Sequence, residues 1–104
     1  MARRVRGAAK AQAALNDARR WLLQPGSGAY GRARWHALRD AADNLADLPY
    51  KGAPVPHQPG LRQLVVSGYR LLYRVEPDTG DSETGDSETA GDIAVLALFG
   101  PGQQ

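Results

Sequence analysis

The stretch Pro59–Val75 reads PGLRQLVVSGYRLLYRV, and it decides the fold predicted for this chain. Residues 61–67 and 69–75 are rich in Leu, Val and Tyr, residue types that favour strands. Ser67 and Gly68 stand between the two runs, and a short connection containing glycine is typical of a tight β-hairpin. We therefore predict two antiparallel strands joined around these two residues.

Downstream of this hairpin, residues 92–99 read DIAVLALF and predict a third strand that is central or covered on both faces. The connection between the second and third strands, residues 77–91, is acidic and contains a tandem copy of GDSET at 80–84 and 85–89. High charge and the lack of large apolar residues indicate an acidic low-complexity loop.

Upstream, residues 8–24 and 29–47 carry apolar residues at three- and four-residue spacing, which predicts two helices. Pro25 to Gly28 separates them, as expected for an antiparallel helical hairpin. Residues 49–60 contain four prolines and predict a stiff, irregular connection, and residues 3–7 predict a short edge strand or an arm. The resulting order β-α-α-β-β-β predicts one α+β domain over residues 1–104, with helices packed on a small antiparallel sheet.

Charge is distributed unevenly along the 104 residues. Thirteen Lys and Arg stand against eleven Asp and Glu, a formal net charge of only +2. Seven of the acids lie between residues 76 and 92, so the rest of the chain has thirteen bases and four acids. This basic body favours an acidic protein or a nucleic acid as the partner.

Composition also limits the chemistry that is available. The chain has no Cys and two His, which argues against a disulfide framework, a metal site and a bound cofactor. No apolar run is long enough for a membrane span, and the basic N-terminus is not followed by the apolar stretch of a secretory signal. We expect a cytoplasmic protein without membrane contact.

The Gly-Leu-Arg start of the hairpin at Gly60, the Tyr69-Arg70 pair after the turn and Tyr73 three residues after Arg70 resemble the RelE/ParE family. The preceding helical hairpin, ending in LADLP at residues 45–49, and the last strand before Gly100 extend the resemblance to residues 3–102, apart from the acidic insert. These are toxins of bacterial type II toxin–antitoxin modules. The resemblance implies a growth-inhibiting toxin that a cognate antitoxin neutralises. One branch of the family cleaves mRNA on the ribosome, and the other poisons DNA gyrase.

The matched residues bear on the choice between these branches. The resemblance to the ribonuclease branch implies a catalytic role for Arg70. The other catalytic residues of that branch are not matched: this chain has Leu61 and Gln63 where the branch has lysines, and Pro101 and Gly102 near the position of its basic residue after the last strand. The C-terminal tyrosine of that branch has no counterpart in this chain. The gyrase branch often ends in a His-Gly-Arg-type tail, of which only Gly100 matches. We expect a gyrase-like or other non-nucleolytic target. A metal-independent ribonuclease remains the alternative, so whether the chain is an enzyme stays open.

Four residues of the hairpin are candidates for target or partner binding: Arg62, Arg70, Tyr73 and Arg74. The arginines predict a basic patch, since acids are scarce outside residues 76–92. Tyr69 and Tyr73 could stack on bases, but core positions under the helices are the stronger interpretation. Trp21 and Trp35 predict core packing or antitoxin contact, and a non-toxic basic nucleic-acid-binding module is a further alternative.

Overall fold

The computed structural model describes residues 4–76 and 92–100. Two helices pack on one face of a five-stranded sheet, so the predicted α+β class is confirmed. The elements are β1 (Val5–Gly7), α1 (Ala9–Leu22), α2 (Gly28–Asp43), a single 3-10 turn (Asn44–Ala46), β2 (Ala53–Pro54), β3 (Leu61–Val66), β4 (Tyr69–Glu76) and β5 (Asp92–Phe99). The predicted acidic loop, residues 77–91, lies outside the described residues.

The strand order is β1-β5-β4-β3-β2, and the sheet is mixed. Strands β2 to β5 pair antiparallel, as predicted, but β1 pairs with β5 in parallel. The expectation of a purely antiparallel sheet is therefore wrong at this edge. A three-residue strand carries no signal for its direction, and the long chain between β1 and β5 supplies the crossover that a parallel pair needs.

The turn between β3 and β4 has the geometry that the sequence predicted. Ser67 and Gly68 both have positive φ, 55° and 81°, the backbone of a two-residue hairpin turn whose twist matches the strands. Arg34 of α2 donates a hydrogen bond to the carbonyl oxygen of Ser67, and the Ser67 hydroxyl donates to the Arg34 carbonyl oxygen at 3.1 Å. These two bonds tie α2 to the end of the hairpin.

The core lies between the helices and the inward face of the sheet. Alternate residues of β4 point into it, together with Ile93 and Leu98 of β5, and the helices contribute Ala18, Leu22, Trp35 and Leu38. Core packing or antitoxin contact is the prediction for both tryptophans. Trp35 is buried, whereas Trp21 is 63% exposed, because the adjacent Leu22 takes the core position.

The two helices meet where Leu22 ends α1 and Gly31 lies in the first turn of α2. A Cβ atom on Gly31 would overlap the carbonyl oxygen of Leu22, so glycine permits this close approach. Within the described residues, no helix has the length and apolar character to cross a bilayer.

Candidate functional site on the outer face of the sheet

The face of the sheet that points away from the helices is called the outer face here. Strand pairing and alternation place on it Arg6, Leu61, Gln63, Val65, Arg70, Leu72, Arg74, Ala94 and Phe99. Strand β4 contributes the central row, with Arg70 half-buried and Arg74 exposed. Two of the four residues predicted to bind a target or partner therefore lie on this face.

Arg70 is held in place by an aromatic neighbour on the next strand. Its guanidinium carbon lies 5.2 Å from the centroid of the Phe99 ring, within the range of a cation–π contact. Phe99 and Arg70 are direct cross-strand partners, and Val65 is paired with Arg70 on the other side. The Arg70 guanidinium group thus lies against the Phe99 ring.

Arg74 lies one pleat further along the same strand. It is exposed, and its Nε atom would be 3.9 Å from a Cβ atom on Gly60, so its side chain lies beside the loop that leads into β3. Arg6 on β1 and Arg74 flank Ala94 in the register of the sheet. Three arginines of the outer face therefore lie on two strands, one on β1 and two on β4, with β5 between them.

Among the side chains that the structure describes on the outer face, the arginines outnumber the acids. Among the side chains described on this face, the acid is Asp92, and its carboxylate already accepts a hydrogen bond from the backbone N–H of Arg4 at 3.0 Å. The outer face thus presents fixed positive charge and apolar surface. That combination suits ligands that carry phosphates or carboxylates.

Arg62 and Tyr73 do not belong to the outer face. They are direct partners across β3 and β4, and both side chains point toward the helices. Arg62 is 2% exposed and Tyr73 is 0% exposed. The prediction that Arg62 joins Arg70 and Arg74 in one basic patch is therefore wrong, because residues 62 and 74 have opposite parity in the paired strands. The burial of Tyr73 agrees with its interpretation as a core position, so it is not accessible as a binding residue.

The two buried residues instead fix the proline-rich connection between α2 and β3. The Tyr73 hydroxyl donates to the Pro49 carbonyl oxygen at 2.8 Å and accepts from the Gly52 N–H at 2.8 Å. Arg62 donates from Nη1 to the Gly52 carbonyl oxygen at 3.0 Å, and its guanidinium carbon lies 4.7 Å from the Tyr50 ring centroid. Sequence reasoning missed this network, although a two-residue turn at Ser67 and Gly68 already dictates the pairing of residues 62 and 73.

Among the described side chains of the outer face, the arginines are the cations, Asp92 is a carboxylate, and there is no histidine. Leu61 and Gln63 occupy the positions beside Arg74 and Leu72, and neither can act as an acid or base. Burial raises the pKa of Tyr69, with the charge of Arg34 opposing the shift, and this side chain points toward the helices. An arginine stabilises negative charge but cannot serve as a general base.

The two histidines lie away from Arg70 in the fold. His36 is exposed on α2, and His57 is exposed in the proline-rich connection, at the positive φ of 63°. Among residues 4–76 and 92–100, no group of three or more His, Asp or Glu side chains is arranged to hold a metal ion.

Comparison with solved structures supports the fold over nearly the whole chain. A chain from a chromosomal ParDE TA system of P. aeruginosa superposes with a TM-score of 0.62 at 16% sequence identity, covering 95% of this chain and 96% of that one. A search among curated proteins gives no match. The structural likeness establishes the shared architecture.

The sequence itself establishes the family. Residues 5–83 match the family model described as the ParE toxin of type II toxin–antitoxin system, parDE. The match defines the class, a toxin of a type II toxin–antitoxin system. Within that class, the chain belongs to the ParE toxin family, which confirms the resemblance found in the hairpin motif.

Proposed function

We propose that the chain arrests bacterial growth in the cytoplasm by binding an essential macromolecule through the outer face of its sheet, and that a cognate antitoxin neutralises it. Membership of the ParE toxin family is the observation that carries this proposal. The positioned Arg70 and the exposed Arg74 supply the charges that hold an anionic surface of the target.

We infer that the target is DNA gyrase and that binding, not cleavage, is the toxic event. Metal-independent RNA cleavage requires a group that accepts the 2′-hydroxyl proton as well as cations that stabilise the phosphorane. Arg70 meets the second requirement, whereas Leu61 and Gln63 leave the first unmet on the described outer face. An mRNA endoribonuclease in which Arg70 is catalytic remains the second candidate.

The first test is growth. Expression of the chain alone should arrest bacterial growth, and co-expression of the small neighbouring reading frame should restore it. Normal growth at a high level of folded protein would exclude a toxin. A non-toxic nucleic-acid-binding module would then be supported if the affinity for DNA or RNA fell steeply with salt.

The second test identifies the surface. The substitutions R70A and R74A should each raise the inducer concentration that is needed for growth arrest by about tenfold or more. This is the effect expected when one charge-assisted contact of about 1.5–3 kcal/mol is lost. R39A is the matched control, because Arg39 is exposed on α2, where it pairs with Asp40. Equal toxicity of all three variants would remove the outer face from the mechanism.

The third test separates the two targets. Purified chain should inhibit supercoiling by gyrase in vitro and induce a DNA-damage response in cells, with cellular messages left intact. Codon-phased cuts seen by primer extension would support the ribonuclease instead. In that case R70A should abolish the cuts, and unchanged cutting would exclude Arg70 from the chemistry.

A further inference from the structure

The turn between β3 and β4 lies between two arginines that each rest on an aromatic ring. On the helix side of the turn, the guanidinium carbon of Arg34 lies 5.5 Å from the centroid of the Tyr30 ring. On the outer face, the guanidinium carbon of Arg70 lies 5.2 Å from the centroid of the Phe99 ring. Both distances are within the range of a cation–π contact. This end of the sheet therefore presents a ring-supported cation on each side of the hairpin turn.

The position of Arg34 is fixed by the turn itself. Its Nη2 atom donates to the carbonyl oxygen of Ser67, and the Ser67 hydroxyl donates to the Arg34 carbonyl oxygen at 3.1 Å. A guanidinium group has several N–H donors, so the bond to Ser67 leaves other donors of Arg34 for an incoming anion. Gly68, the next residue of the turn, is exposed and has no side chain, so a ligand can lie close to the backbone there.

Tyr30 is the accessible ring at this end of the sheet. It is 74% exposed, whereas Phe99 is half-buried. An exposed aromatic ring on a basic surface is suited to stacking on an unpaired nucleic-acid base, since every base has a flat face. The guanidinium group of Arg34 beside that ring is suited to the adjoining phosphate. The pair thus offers one contact to each of the two parts of a nucleotide.

The segments that form this end of the sheet contain no acidic residue. Residues 18–39, which include the first half of α2, have five arginines, and residues 48–75, which include the β3–β4 hairpin, have four bases. Neither segment contains Asp or Glu, and residues 93–100 of β5 and its end contain none either. An anionic ligand that lies across the turn therefore meets no like charge from these three segments.

We propose that this end of the sheet binds a single strand of nucleic acid across the turn at residues 67–68. Arg34 and Arg70 each contact a phosphate, and Tyr30 stacks on an unpaired base. A nucleic acid fits these groups better than an acidic peptide does, because each nucleotide carries both a phosphate and a flat base. The inference goes beyond the proposed function, since it assigns a direct contact with nucleic acid that is measured in the absence of gyrase.

The probe is a fluorescently labelled oligothymidylate of about ten nucleotides, a length within the usual site sizes of proteins that bind single strands. Its fluorescence anisotropy should rise when the purified full chain is added. The logarithm of the affinity should fall with the logarithm of the salt concentration with a slope of about −1.4, the value for two phosphate contacts on a single strand. An oligouridylate of the same length identifies the source of the strand, because tighter binding of DNA or of RNA assigns the site to that nucleic acid.

Substitutions locate the site. Y30A should weaken binding by about tenfold or more, the loss expected when one base is no longer stacked, and Y30F should retain binding because stacking uses the ring. W21A is the matched control, since Trp21 is an exposed ring on the other helix. R70A should reduce the salt slope by about 0.7, the value for one phosphate contact. Retained helical circular dichroism in each variant shows that loss of binding does not come from unfolding.

The contrary results are equally definite. Unchanged binding by Y30A, or binding of a duplex as tight as that of the single strand, would overturn the proposal, because the bases of a duplex are not available to Tyr30. Competition by a polyglutamate peptide as strong as that by unlabelled oligothymidylate would overturn it too and would assign this end of the sheet to an acidic protein. Growth arrest and its relief by the neighbouring reading frame are measured separately, so failure here leaves the proposed function standing.

Discussion

Tyr73 shows how one hydroxyl group fixes a loop that has no regular structure. It accepts from the Gly52 N–H and donates to the Pro49 carbonyl oxygen, both at 2.8 Å. The substitution Y73F would leave these buried backbone groups without that partner, at a cost of about 1–3 kcal/mol for each group. We expect the free energy of unfolding to fall by about 2–4 kcal/mol in urea denaturation.

The control for this prediction is Y30F. Tyr30 is exposed on α2, so loss of its hydroxyl should change stability by less than about 0.5 kcal/mol. Equal effects of Y73F and Y30F would show that the hydroxyl of Tyr73 does not hold the loop. The substitution G52A should also lower the free energy of unfolding, because its Cβ atom would lie 2.7 Å from the Tyr73 hydroxyl oxygen and displace it.

The burial of Tyr69 leads us to expect that the stability of the fold falls at alkaline pH. Burial raises its pKa above the ordinary value of 10.0, and the charge of Arg34 opposes this in part. As the pH rises through 10, the phenol ionises in the unfolded chain while the folded chain retains the proton, so the free energy of unfolding falls. Denaturation from about pH 8 to about pH 11 should show a smaller fall in Y69F than in the natural chain. The same slope in both proteins would contradict the assignment.

At the residue scale, the alternation of β4 could be predicted from the sequence, and the role of Arg62 could not. Alternation along residues 69–75 puts Tyr69, Leu71, Tyr73 and Val75 on one face of the strand, and all four are buried. Arginine is almost never fully buried unless its charge is satisfied, so sequence reasoning favoured the surface for Arg62. Its partners are a carbonyl group and an aromatic ring in the proline-rich connection, whose path the sequence does not specify.

At the element scale, the helical hairpin depends on Gly31. Glycine in the interior of a helix normally costs about 1 kcal/mol relative to alanine, so replacement should stabilise an isolated helix. Here the added methyl group would overlap the carbonyl oxygen of Leu22 on the neighbouring helix. We expect G31A to destabilise the fold by about 1–3 kcal/mol, the usual effect of overpacking, measured by thermal or urea denaturation.

The matched variant is A33G in the same helix. Ala33 is exposed, so this substitution reports helix propensity alone and should cost about 1 kcal/mol. If G31A stabilised the chain instead, helix propensity would outweigh the contact with Leu22, and the close crossing would not be needed.

The elements differ in how well the sequence predicted them. Both long helices appear within a few residues of their predicted bounds, except that residues 44–46 tighten into a 3-10 turn, because apolar spacing and the Pro25–Gly28 break are local signals. Strand β2 and the parallel direction of β1 were not predicted. Each is three residues or fewer, and its pairing is imposed by the neighbouring strand rather than by its own sequence.

At the scale of the whole molecule, the uneven distribution of charge along the chain gives the outer face of the sheet its positive charge. The near-neutral total charge conceals a basic body, and the structure places Arg6, Arg70 and Arg74 of that body on the outer face. The hairpin motif was sufficient to indicate the family, because turn chemistry and strand pattern are both local. The separation of Arg62 from Arg70 became visible only when the strands were paired.

The duplicated acidic segment leads to the last prediction. Deletion of residues 80–89 removes four acids and raises the formal net charge from +2 to +6. Residues 80–89 contain no large apolar side chain that could join a core, so the melting temperature should change by less than about 3 °C, which corresponds to less than about 1 kcal/mol in a domain of this size. Affinity for a polyanion such as heparin should rise and become more dependent on salt.

The melting temperature and the heparin affinity of the deletion variant test the prediction separately. A large loss of thermal stability would show that the acidic segment contributes to the stability of the folded body. Unchanged affinity for heparin would show that the four acids do not act on the surface where heparin binds. A variant with the four acids replaced by Asn and Gln keeps the length of the segment, so it separates the effect of charge from the effect of a shorter connection between β4 and β5.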